Sequence, residues 1–310
     1  MFEIFRLIGE HPEYIGWMVL MGFLVAGSCA LVGNYLVLRR ISLVGDAISH
    51  SVLPGIAVAF LISNSRDSIW MFLGALVAGM VTTIFIQMIH SKTRVKEDAA
   101  IGITFSTLFA IGVIMISVFS GSIDLDLDCV LYGKLELVAT GTTYAKIFGV
   151  EIAPRPVLVM GIVMLSCALL VVVFYKELLV SSFDEGLSAS LGVNPQFVYY
   201  AMMCVLSVVV VSAFEAVGAI LVIAMLILPA ATAYLVTDRL QWMIVWSLLH
   251  AALSALFGIQ LAFAIEVPGA PAMVVAGMAI FVLVWIFSPR HGLLRRWFGK
   301  LDEAEIVPQG

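Results

Sequence analysis

Nine apolar stretches, each about as long as a bilayer core is thick, constrain this chain more than any motif in it. They run roughly over 17–38, 45–63, 69–90, 99–119, 156–178, 197–213, 216–236, 241–262 and 271–288. A helix needs about 20 mostly apolar residues to cross the hydrocarbon core. The second and sixth stretches are short or polar for that task, which leaves eight spans as the alternative count. Of the 310 residues, 62% are hydrophobic and 12% charged, whereas a soluble domain carries about a quarter charged residues. With a mean hydropathy of +1.11, too many side chains are apolar for a soluble core to hide, so lipid must solvate them. The expected fold is all-α: a polytopic transmembrane helical bundle in one domain over 1–300, with a short polar tail over 301–310.

Orientation follows from basic residues, which favour the cytoplasmic side. Placing the N-terminus outside and the C-terminus in the cytoplasm puts eleven of the 16 Lys and Arg inside. Arg39, Arg40, Lys92, Arg94, Lys96, Lys176 and Arg239 are among them, with the basic cluster over 290–300. Arg6, Arg66, Lys134, Lys146 and Arg155 fall outside. No basic, aromatic-interleaved cluster of the kind a nucleic-acid surface needs is present. The first sixteen residues hold Glu3, Glu10 and Glu13 and lack the basic start of a signal peptide. Cys29, Cys129, Cys167 and Cys204 are widely spaced and form no CxxC pair, which argues against a disulfide framework or a thiolate zinc site.

An ionisable side chain at membrane depth costs a few kcal/mol, so it usually faces protein or a pathway. The sharpest case is Val44-Gly45-Asp46-Ala47-Ile48-Ser49-His50. Asp46 and His50 are four apart and share a helix face. Counted from Arg40, His50 lies roughly 15 Å into the span at ~1.5 Å per residue. Carboxylate with imidazole suits Mn²⁺, Zn²⁺ or Fe²⁺, and Ser49 and Ser51 add polarity. Spacing alone serves equally an Asp–His contact that only ties helices together. Pro54-Gly55 follows and loosens the helix, freeing backbone carbonyls of the kind that line transporter cavities. Elsewhere, Asp124, Asp126 and Asp128 alternate in an acidic outer segment, and the stretch 130–144 suggests a short helix or re-entrant piece. Glu215 and Glu266 read as solvated at outer connections. His250 lies about ten residues into the eighth span and reads first as a packing residue, with metal ligation as the lesser alternative.

No GxxxxGK[ST] phosphate loop, HExxH or GxSxG element occurs in the chain. It is therefore a channel, a carrier or one part of a larger machine, with no catalytic site of its own. The segment 181–196 bears on that choice. It reads SSFDEGLSASLGVNPQ: acidic residues open a short helix and Gly-x-Asn-Pro stops it. Held between two spans on the inner face, such a helix is a handle for a cytosolic partner, although a plain capped loop would read the same way.

Taken in order, several runs resemble the membrane permeases of ATP-binding-cassette importers for manganese, zinc or iron. They are Leu38-Arg39-Arg40-Ile41-Ser42-Leu43-Val44-Gly45-Asp46-Ala47-Ile48-Ser49-His50-Ser51-Val52-Leu53-Pro54-Gly55, then Lys96-Glu97-Asp98-Ala99-Ala100-Ile101-Gly102-Ile103, and Asp126-Leu127-Asp128-Cys129-Val130-Leu131-Tyr132-Gly133. Val217-Gly218-Ala219-Ile220-Leu221 and Leu228-Pro229-Ala230-Ala231-Thr232-Ala233 complete the set. That family's last outer motif, Asp-x-Pro-x-Gly-Pro, stands here as Glu266-Val267-Pro268-Gly269-Ala270-Pro271, and His250 matches none of its motifs. The resemblance implies a half-channel in a bacterial plasma or inner membrane that pairs with a second copy or a close homologue. It also implies one cytosolic ATPase subunit per copy and a separate extracytoplasmic metal-binding protein. Asp46 and His50 become metal-pathway residues on this analogy. Phe183, Asp184, Glu185, Ala189, Gly192 and Val193 become the coupling element for the ATPase. No cofactor is held permanently; the metal ion is cargo. The rival from another class is a stand-alone metal–proton carrier using Asp46 and His50 as a relay, and a third reading is a structural membrane subunit.

Overall fold

The structure, a computed structural model, describes residues 12–63, 68–119, 135, 144–147, 150–288 and 292. Four long helices come first: α1 (Pro12–Leu38), α2 (Val44–Ser63), α3 (Ser68–Lys92) and α4 (Glu97–Phe119). A two-stranded hairpin follows, β1 (Tyr144–Ile147) antiparallel to β2 (Val150–Pro154), with a register shift after Ala145. Then come α5 (Arg155–Val173), the short α6 (Tyr175–Phe183) and α7 (Glu185–Ser190), α8 (Pro195–Val217), α9 (Ala219–Val236), α10 (Leu240–Ile265) and α11 (Gly269–Phe287). The polytopic helical bundle expected from the sequence is present.

Among the described residues eight helices are long and apolar enough to span a bilayer, and a ninth apolar helix is shorter. The short one is not among the two stretches singled out from sequence. The second and sixth spans form full helices of 20 and 23 residues, because helix α2 runs straight through its polar residues. Helix α9 is the brief one: Gly218, at φ 77°, separates it from α8 with no intervening loop. The hairpin was not expected, since its nine residues carry no clean alternation. The acidic residues Asp124, Asp126 and Asp128 lie outside the described residues, as does nearly all of the stretch 130–144. The fifth span also ends earlier than its apolar run suggests, with Phe174 breaking α5 from α6.

Helix α1 is the centre of one group, packed by α5, α8, α9 and α10, while α11 closes against α9 and α10. Its buried residues Met18, Met21, Val25, Cys29, Val32 and Leu36 recur every three or four positions, one stripe of a helix. Small residues of α10 let its neighbours approach, as membrane packing requires: Ser247 and Ala255 face α1, while Ser254 and Gly258 meet Gly277 and Met273 of α11. Within this group the Asn34 amide donates to the Ser247 hydroxyl at 2.8 Å, a buried link between α1 and α10.

Helices α2, α3 and α4 form a second group, joined to the first through α8 and α9. Gly55 and Gly74 meet backbone to backbone where α2 crosses α3: a Cβ on either would stand about 2.5 Å from the other's carbonyl oxygen. The outer face of α3 exposes Ile69, Leu73, Val77, Met80, Ile84 and Met88, again at helical spacing. A soluble helix would bury that stripe; here it is the lipid-facing surface.

Candidate metal-transport site

Helix α2 owes its position to the turn that precedes it. Ile41 N–H donates to the Leu36 carbonyl at 3.0 Å and Arg40 N–H to the Val37 carbonyl at 3.1 Å. Those two bonds make a Schellman stop, which satisfies carbonyls orphaned at the end of α1. Its left-handed residue is Arg40, at φ 62°, where a side chain costs about 1–2 kcal/mol relative to the right-handed form. The turn also interrupts the helix before the site. His50 stands six residues beyond Val44, the first residue of α2, a rise of about 9 Å along the helix.

The first turns of α2 carry the expected pair. His50 Nε2 and Asp46 Oδ1 are 3.3 Å apart, and the two side chains are 32% and 34% exposed. That separation is long for a hydrogen bond, so the groups face each other without being tightly committed to each other. An ion bonded at about 2.1 Å to both atoms would see them at roughly 100°, an angle between tetrahedral and octahedral preferences. Two rings of α4 hold the imidazole. Phe105 lies 5.3 Å away, tilted at 41°, and Phe109 lies 5.5 Å away edge-on at 85°. Sequence reasoning missed both, although their i,i+4 spacing in an apolar span is the signal that places them on one face.

Pro54 sits inside α2 and has no N–H to give. The carbonyl it leaves without a helical donor is that of the residue four before it, His50 itself. A backbone oxygen is thus freed at the same position as the imidazole. Helix α4 presses close at this level: a Cβ on Gly112 would stand 2.7 Å from Pro54 Cδ. Phe105, Phe109 and Gly112 therefore form one face of α4 laid along α2 from His50 to Pro54.

The neighbouring serines do not join the pair. Ser49 Oγ donates to the Gly45 carbonyl at 2.9 Å and Ser51 Oγ to the Ile48 carbonyl at 2.9 Å, and both side chains are buried. His250 is also kept apart, because α10 packs on α1, α9 and α11 while α2 packs chiefly on α3 and α4. It is 2% exposed, and neither ring nitrogen has a hydrogen-bond partner among the described residues. Glu266 is the exposed left-handed cap of α10. Among the described residues no cluster of three or more His, Cys, Asp or Glu forms, so Asp46 and His50 offer two side-chain ligands.

On a different part of the molecule, the segment after α5 is built to hold its shape. Asp184 caps α7 by accepting from Leu187 N–H at 2.9 Å. Gly192, at φ 84°, ends it with a second Schellman stop, Val193 N–H to the Ser188 carbonyl and Gly192 N–H to that of Ala189, each 3.1 Å. Asn194 then caps α8 with Pro195 in its first turn. Phe183, the last residue of α6, and Leu187 and Leu191, one turn apart at α7, are 61%, 50% and 63% exposed and leave apolar surface uncovered. Ala189 is exposed beside them and Val193 is half-buried. Of the three large apolar residues, Leu187 gave no signal in the sequence, since leucine is common in every helix of the chain.

The comparisons with known proteins agree on one family. A family model described as "ABC 3 transport family" matches residues 11–288. The chain is 40% identical over 290 residues to the manganese transport system membrane protein MntD of Bacillus subtilis, covering 94% of this chain and 97% of that one. It is 41% identical over 279 residues to the zinc transport system membrane protein TroD of Treponema pallidum, covering 90% and 75%. Among solved structures, PsaBC from Streptococcus pneumoniae in complex with Fab superposes with a TM-score of 0.76 at 32% identity, covering 96% of this chain and all of that one. The chain is a multi-pass membrane protein that belongs to the ABC 3 transport family.

Proposed function

We propose that this chain is the permease subunit of an ATP-binding-cassette importer for a divalent first-row transition metal, and that the ion passes by Asp46 and His50. The observation that carries the reading is the pair itself: carboxylate and imidazole 3.3 Å apart and part-exposed, one turn before a proline inside the same helix. Hard and borderline ligands of this kind suit Mn²⁺ or Zn²⁺, the ions in the names of the relatives above. Two side chains make a site of moderate strength, which suits cargo that must leave again. A second copy of the chain, facing the first across the pathway, would double the ligand set to two carboxylates and two imidazoles.

The chain supplies no phosphate loop, so the energy comes from elsewhere. A cytosolic ATPase docks on the exposed apolar residues Phe183, Leu187 and Leu191, with Asp184, Glu185, Ala189, Gly192 and Val193 completing the same capped segment. An extracytoplasmic binding protein delivers the ion to the opposite face. ATP binding and hydrolysis on the partner then rock the helices between outward-open and inward-open arrangements. The test is uptake of Mn²⁺ into vesicles holding the purified complex. Uptake should require ATP and persist when a protonophore collapses the pH gradient; uptake without ATP that collapses with the gradient would establish a proton-coupled carrier instead.

A further inference from the structure

The segment proposed to dock the ATPase and the helix that carries Asp46 and His50 are distant in sequence, yet the turn leading into α2 carries a side chain, Arg39, that is hydrogen-bonded to the end of α6. Arg39 lies just beyond the end of α1, half-buried. Its Nη2 donates to Ser181 Oγ at 2.8 Å and its Nε to Ser182 Oγ at 3.4 Å, both at the end of α6. The hydroxyls are free to accept because their own protons are spent on the Leu178 carbonyl, at 3.3 and 2.7 Å. A guanidinium suits this task, since its planar fork can address two acceptors at once and its charge strengthens each bond.

On its other side Arg39 is one residue from the left-handed Arg40 and seven from Asp46. The Schellman stop leaves little slack in that connection, because both of its bonds tie Arg40 and Ile41 back to α1. A displacement of α6 thus has a short, hydrogen-bonded route to the start of α2. We infer that Arg39 is the positioning residue that transmits movement of the ATPase-docking segment to the metal-bearing helix. The inference rests on the docking role proposed above for Phe183 and Leu187.

Coupling between two sites by such an element amounts to a factor of about 5–150. In the purified complex with its ATPase subunit, Arg39→Ala should keep the ATPase bound and hydrolysing, while Mn²⁺ moved per ATP falls about tenfold. Ser181→Ala combined with Ser182→Ala should reproduce the loss. Arg39→Lys, which keeps the charge without the fork, should recover part of it. Transport per ATP within about twofold of wild type in Arg39→Ala, or loss of the ATPase from the complex in step with loss of transport, would overturn the inference. Phe183→Asp with Leu187→Asp tests the docking role separately: the ATPase should dissociate, and if it stays bound the docking reading fails whatever Arg39 does.

Discussion

At the scale of single residues, the site is defined by what each group near it is free to do. Ser49 and Ser51 spend their protons on their own helix, whereas Asp46 and His50 face each other part-exposed, and the His50 carbonyl loses its usual helical donor to Pro54. Replacing Pro54 tests the last point. A proline inside a helix costs about 3 kcal/mol, part of which is recovered here through its packing against Gly112. Pro54→Ala should therefore raise the melting temperature of the detergent-solubilised protein while lowering Mn²⁺ uptake, about tenfold by analogy with lost supporting ligands. A rise in stability with undiminished uptake would show that the freed carbonyl serves no ion. Of the site, the sequence made Asp46, His50 and Pro54 legible because charge and proline are conspicuous in an apolar run. Phe105 and Phe109 were invisible as site residues: aromatics in a membrane helix have no mark that separates one facing a ligand from one facing lipid.

Secondary elements carry the second part of the argument. Helix ends were readable wherever a cap is written in local chemistry. Glu97 and Asp98 open α4 and Asp184 caps α7, while Asn194-Pro195, read in the sequence only as the stop of the short helix, also starts α8. The stop at the end of α1 was hidden because its left-handed residue is Arg40 instead of glycine, so the turn between α1 and α2 left no mark in the sequence. Gly192 offers the corresponding test where glycine does fill the position. With φ at 84°, Gly192→Val forces a β-branched side chain into the left-handed region, costing about 1–2 kcal/mol or more. The variant should insert normally but bind less of the ATPase subunit, measured by co-purification. Full ATPase recovery would mean that the frame under Phe183 and Leu187 is not needed for docking.

At the scale of the whole molecule, hydropathy located the bundle because lipid leaves a helix no other way to satisfy its backbone. It could not tell which spans sit centrally, since α1 and α3 are almost equally apolar while α1 is largely buried and α3 presents a face to lipid. The orientation we propose, from the bias of the basic residues, has Arg94 inside and Arg66 outside. On a background without the four native cysteines, an impermeant thiol reagent applied to intact cells should label Arg66→Cys and spare Arg94→Cys; the opposite pattern would invert the bundle and move the ATPase-docking segment to the wrong face. The most direct test of the account as a whole is Mn²⁺ uptake, normalised to assembled complex, for Asp46→Asn and His50→Ala. If the ion passes between these two side chains, both variants assemble like wild type and normalised uptake falls more than about tenfold in each. If the pair only ties helices together, assembly falls and uptake per assembled complex stays near wild type, which would contradict a metal route through α2.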